Sequence, residues 1–255
     1  MVVISLLVVT IFFISFACYL ISLCQKKKRH IKDVKQIKQP QELGSNMSWI
    51  AVKSSDPASV ARFLGLEGTF QESCWHGIEA TYDTKKSDHS IFITPAYKGW
   101  VLIVGDALPL PLGPAFSDKC TPLLASLSKE FSEAQYFACH PELDFFCWAK
   151  AVDSQLIRAF ASSDEGSILN YGRLSSAEIT LGLKYFEFRG LSCENGDVGE
   201  AINLVPTVAY VLALASHWSV DPVSLSEFSN CSTSEGVIGS APTVWRSTTR
   251  IRENA

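Results

Sequence analysis

The chain has 255 residues, 47% of them hydrophobic and 19% charged, with a formal net charge of −4. That composition supports a packed core and excludes a disordered chain, which needs low hydrophobicity and high net charge. The charge is unevenly placed: residues 1–38 hold seven Lys/Arg and one acid, leaving 15 basic against 25 acidic residues in 39–255, a net of −10. An acidic body argues against nucleic acid as a partner, because phosphate binding needs a basic surface.

Residues 2–24 (VVISLLVVTIFFISFACYLISLC) carry no charge, and the basic run QKKKRH follows at once. The 23 residues can cross a hydrocarbon core of ~30 Å at ~1.5 Å per residue with some tilt. A cleaved signal peptide would carry a basic n-region and a shorter apolar core, and Ile21-Ser22-Leu23 is a poor exit. Ala17-Cys18 resembles a lipoprotein site but lacks the same n-region. A buried core helix would rarely be so uniformly apolar. The segment is therefore predicted to be a transmembrane signal-anchor held in the lipid bilayer. Lys26, Lys27, Lys28, Arg29, Lys32, Lys35 and Lys38 follow it against the single acid Asp33. Positive flanks stay cytoplasmic, which predicts a single-pass, N-out/C-in protein of the cell inner membrane with its body in the cytoplasm. Residues 25–47 form this basic neck and a linker ending in QPQELGSNM. The neck either draws anionic headgroups to it or only sets topology.

A globular domain is predicted over 48–230. Ser48–Lys53 reads as a strand. Asp56 and Pro57 read as the cap and first residue of a helix, with Val60, Phe63 and Leu64 on one face and Gly65 as its stop. Gly77–Tyr82, Ser90–Thr94 and Trp100–Gly105 read as strands, the last apolar enough to lie centrally. The prolines of 107–114 make an irregular connector. Thr121 and Pro122 are expected to open a helix carrying Leu123, Leu124, Leu127 and Phe131. Three strands follow in quick succession, 134–140, 144–151 and 155–161, and their short turns predict an antiparallel meander. Ser175 and Glu178 fit a capping box. Residues 184–203 read as a loop. The apolar part of 205–218 is too short to span a membrane, so it reads as a core helix with Val208, Leu212 and Ala215 inward. Asp221-Pro222 starts a brief helix through Phe228, and 231–255 reads as a flexible tail. The fold class is α+β, a mostly antiparallel sheet of about six strands with about four packed helices. If helices cover one face alone, paired aromatics such as Phe145-Phe146 leave a patch on the other.

The eight cysteines lack regular spacing, and those of the body sit mainly in apolar context, which suggests free thiols. In that compartment the sequons Asn46-Met47-Ser48 and Asn230-Cys231-Ser232 are chance matches. Cys74-Trp75-His76 and Cys139-His140 with Cys147 lack zinc-site spacing, so no metal ligand set is predicted. Strand alternation puts Cys139 and His140 on opposite faces. No G-x-S-x-G, Walker A or G-x-G-x-x-G motif occurs, and no cofactor is predicted. The best-placed nucleophile is Cys120 at a predicted helix start, with His140 or His76 as its base. A cysteine-dependent hydrolase centred on Cys120 and His140 is thus the alternative to a binding role.

From Trp49 onward, SWIAVKSSD, GWVLIVGDALP, the block AQYFACHPELDFFCWAKAVDSQLIRAF, and HWSVDPVSL resemble a group of small uncharacterised bacterial proteins. The similarity covers about 48–228 and none of the apolar segment. Some of these proteins look like immunity proteins encoded beside toxins, which act by binding. The resemblance implies an interaction module with a protein partner; the apolar segment departs from the usually soluble pattern of the group and makes the expected module membrane-anchored, with its body in the cytoplasm. Charge suggests a basic partner, such as a cationic toxin domain.

Overall fold

The middle of the sheet follows from one alternating run. In the computed structural model, β1 (Met47–Val52) turns Trp49 and Ala51 to one side and Ile50 and Val52 to the other, all fully buried. A strand buried on both faces must lie centrally in a layered fold. The structure describes residues 46–82, 89–111, 118–164, 166–182, 206–220, 222–224 and 235–245. The predicted anchor, the basic residues Lys26 to Lys38, and the loop at 184–203 lie outside these. Among the described residues no helix is long and apolar enough to cross a membrane.

In chain order, β1 leads to α1 (Pro57–Leu64), β2 (Glu67–Ser73), α2 (Cys74–Tyr82), β3 (Ser90–Ile93) and β4 (Val101–Val104). Then come α3 (Cys120–Phe131), β5 (Glu133–His140), β6 (Phe145–Val152), β7 (Gln155–Ser163) and β8 (Gly166–Tyr171). The described residues end with α4 (Ser176–Thr180), α5 (Val208–Trp218) and β9 (Glu235–Ser240), with short 3-10 turns at Pro141–Leu143, Pro222–Ser224 and Thr243–Trp245. The nine strands form one sheet in the order β2-β9-β3-β4-β1-β5-β6-β7-β8. Every described pairing is antiparallel.

The class is α+β with a large antiparallel sheet, but with nine strands and five described α-helices rather than six and four. The meander β5–β6–β7 lies where the short turns predict it, and Asp153 and Ser154 turn one of its hairpins with φ of 47° and 71°. The capping predictions hold at α1, where Asp56 accepts from the Ala58 amide and Gly65 closes the helix in the left-handed region. They also hold at α4.

Other expectations are corrected. Helices cover both faces: α1 and α3 pack over Ile50, Tyr136 and Cys147, and α5 packs over Trp49, Phe137 and Trp148. Phe145 and Phe146 are therefore both buried, on opposite sides. Residues 77–82 belong to a helix, because Cys74, Ile78 and Tyr82 also recur every fourth residue and that face meets Phe92 and Ile238. Helix α3 starts at Cys120 and is capped by Asp118, whose carboxylate accepts from the amides of Cys120 and Thr121. Phe63 is 39% exposed and meets Phe131 edge-on, while Ala61 takes its place inside. The inward face of α5 is Val211, Leu214 and Ala215, with Val208 and Leu212 partly buried. The tail assignment fails at Glu235–Ser240, which enters the sheet between β2 and β3. Gly236 is needed there, since a β-carbon would collide with the Ile93 carbonyl and the Phe92 ring.

Candidate functional site

A bulge begins the most developed site. Lys150 pairs with Arg158 and Ala151 with Leu156, so Ile157 is the extra residue of β7. Such a bulge re-aims the side chains beside it. Gly172, just past β8, has φ of 79°, and a β-carbon there would strike the Ile157 carbonyl oxygen. Close passage of the two backbones thus requires glycine at that position.

Arg158 runs inward from the bulge and is only 2% exposed. Its Nε donates to Glu178 Oε1 at 2.8 Å. Its Nη1 faces the Ala159 carbonyl at 3.1 Å, Asn170 Oδ1 at 2.7 Å and the Tyr171 carbonyl at 2.9 Å. Glu178 is fully buried, and its Oε1 also accepts from Trp148 Nε1 at 2.8 Å. Its Oε2 accepts from the Ser175 amide at 2.7 Å and the Ser175 hydroxyl at 2.8 Å. The capping box of α4 therefore does more than start a helix: it seats a carboxylate against a buried guanidinium. Desolvating such a pair is costly, and this one is compensated by hydrogen bonds on both partners. Burial first and the Glu178 charge second push the nearby Tyr210 phenol above its usual range.

Above this floor lies an open cleft of about 630 Å³, walled by Trp218, Leu174, Ala177 and Ile157 and reached by Lys150, Arg173 and His217. Trp218 is fixed from two sides. Its indole nitrogen donates to Ser175 Oγ at 3.2 Å, and its carbonyl accepts from Gln135 Nε2 at 3.0 Å. Lys150 pairs with Glu133 and lies 5.5 Å from the centre of the Trp218 ring.

A further polar cluster sits where β1 and β5 run out. His140 Nε2 is 3.0 Å from Ser48 Oγ, and its Nδ1 is 3.0 Å from Asn46 Oδ1. With an amide oxygen at Nδ1, that nitrogen carries the proton and Nε2 accepts from the serine. Burial holds the imidazole pKa below its ordinary value, so the ring is neutral at pH 7. Ser48 itself is 3% exposed.

Cys120 and His140 are thus placed differently from what a cysteine hydrolase needs. The described hydrogen bonds of the His140 ring go to Ser48 and Asn46. Cys120 is fully buried, and its thiol pKa is pushed well up by burial, then by Cys147 and Asp118. Activation of a thiol requires the opposite shift. His76 contacts Ser73 and Glu72 at the C-terminal end of β2. Cys74, Cys120, Cys139 and Cys147 are free and buried, with Cys74 raised to about 11 and Cys139 to about 12 by burial; Cys193 and Cys231 lie outside the described residues. Cys139 and His140 do face opposite sides, Cys139 toward Trp49 and His140 toward Ser48. Among the described residues no group of three His, Cys, Asp or Glu could hold a metal ion.

Sequence reasoning passed over Arg158, Arg173, His217 and Trp218, and it took Glu178 only as a cap. One signal was available: Arg158 is the lone charge in the strand QLIRAFA, and a buried charge must find a partner. No family model, curated protein or solved structure matches the chain.

Proposed function

We propose that the chain is a membrane-anchored binding module of the immunity type, held by residues 2–24 with its body in the cytoplasm. The observation that carries the binding role is the floor of the cleft. Both Glu178 oxygens accept two hydrogen bonds each, and Arg158 is tied to two strands and a helix cap. Groups held this way preorganise a surface; they are not placed to move protons. The uncharged run at 2–24 and the seven basic residues after it support the anchor and its orientation.

The body's net charge of −10 favours a basic protein partner, steered to it over long range. Tethering raises local concentration near the membrane, so modest affinity suffices against an incoming toxin. The test is association kinetics with a basic protein partner captured by the full-length protein, at rising salt. Association should slow markedly between 0.15 M and 1 M salt, as the Debye length shrinks from ~8 Å to ~3 Å. A rate flat across that range would remove the acidic surface from recognition.

A further inference from the structure

The ionisable side chains that line the cleft are all basic. Lys150, Arg158, Arg173 and His217 line it, and among the described residues no Asp or Glu does. Two of these cations are balanced, Arg158 by Glu178 beneath the lining and Lys150 by Glu133, whereas among the described residues no acid pairs with Arg173. This recess sits in a body with 25 acidic and 15 basic residues, so its lining runs against the charge of its surroundings. An unbalanced cation at the mouth of a walled recess attracts an anion.

The floor adds a donor from a lining residue. Arg158 uses Nε and Nη1 for its described bonds, and among the described residues no acceptor meets Nη2. A guanidinium that is 2% exposed cannot swing out to find another partner. An anion in the cleft would supply the missing acceptor by a charge-assisted hydrogen bond. Arg173 and His217 are exposed at the rim, and Arg173 adds charge there. The remaining wall is apolar: the Trp218 ring, pinned by Ser175, with Leu174, Ala177 and Ile157. A volume of about 630 Å³ suits a small molecule rather than a bare inorganic ion.

We propose that this cleft binds a small organic carboxylate, its charged group met by Arg158 Nη2 and Arg173 and its apolar body laid against Trp218. The inference rests on the same Arg158–Glu178 floor as the binding reading, but it needs neither the membrane nor the protein partner, so its test and the salt-dependence test can fail separately.

The test is calorimetric titration of the full-length protein in detergent micelles with benzoate, benzamide and phenyl phosphate at fixed salt. Benzoate should bind with one-to-one stoichiometry, benzamide at least tenfold more weakly, and phenyl phosphate no more tightly than benzoate. Arg173→Gln alters an exposed side chain outside the buried network, so it should keep the unfolding temperature and weaken benzoate roughly tenfold, the scale of one charge-assisted hydrogen bond. Arg62→Gln, on α1 away from the cleft lining, should change nothing. Equal binding of benzoate and benzamide, absence of benzoate binding, or an Arg173→Gln protein that binds as tightly as the parent would overturn the proposal. Phenyl phosphate binding tenfold tighter than benzoate would overturn the carboxylate assignment.

Discussion

The Arg158–Glu178 centre and the Asn46–His140–Ser48 chain are both networks of short hydrogen bonds between residues distant in sequence, yet they stand in different surroundings. The Arg158 centre floors a recess of about 630 Å³ and ties two strands to a helix cap. The His140 chain joins neighbouring strand ends, and its serine is 3% exposed. By hydrogen-bond pattern alone the His140 chain is closer to catalytic machinery: a hydroxyl, a neutral imidazole and an orienting amide. A nucleophile must also reach a substrate, and a buried Ser48 is better described as sealing the ends of β1 and β5. Hydrogen-bond geometry thus needs an adjoining space before it points to function.

The comparison can be broken by mutation. Glu178→Ala should have the largest effect, because it leaves the Arg158 charge buried and the Trp148 indole N–H without its acceptor. Loss of one partner of a buried pair costs about 3–5 kcal/mol, readable as a lowered midpoint in urea unfolding. A stability change within error would mean that the pair is solvated and is not the floor described here. Gly172→Ala should come next. Holding a non-glycine residue at positive φ costs about 1–3 kcal/mol, and the collision with the Ile157 carbonyl adds to it. The same denaturation experiment should show this variant less stable than the parent but more stable than Glu178→Ala.

The His140 chain should respond to pH more than to structure-wide unfolding. Burial depresses the folded-state pKa of His140, whereas the unfolded chain has the ordinary value of ~6.5. The unfolded state therefore takes up the proton first. Stability contributed at this site is constant above that value and falls as pH drops through it, by at most about 1.4 kcal/mol per pH unit. His140→Gln should flatten the stability profile between about pH 7 and 5.5. An unchanged slope in that variant would show that His140 is not the titrating group.

Legibility in the sequence followed contact distance. The meander β5–β6–β7 was readable because its strands are consecutive and its turns are tight. The far side of the sheet was not, since β2-β9-β3 joins Glu67–Ser73 to Glu235–Ser240 across most of the domain. Strand β2 is largely exposed and polar, and β9 carries glycines where β3 and β2 approach closely, at Gly236 and Gly239, so neither shows an apolar alternation. The site divides the same way. Ser175 and Glu178 were readable as a local cap, but nothing in their spacing pointed to Arg158, twenty residues upstream in the chain. Cys120 is well placed by its position at a helix start, and only the packing of Leu124, Tyr136 and Cys147 around it shows that it belongs to the core.

The central claim is an anchored binding body that faces the cytoplasm, and the topology of the full-length protein tests it most directly. Protease should be added to intact cells and, in parallel, to inverted inner-membrane vesicles, with fragments followed by an antibody to the body. The account predicts an uncut body in intact cells and digestion in the vesicles, with a membrane-held fragment retaining the N-terminal segment. Digestion of the body from outside intact cells would contradict it.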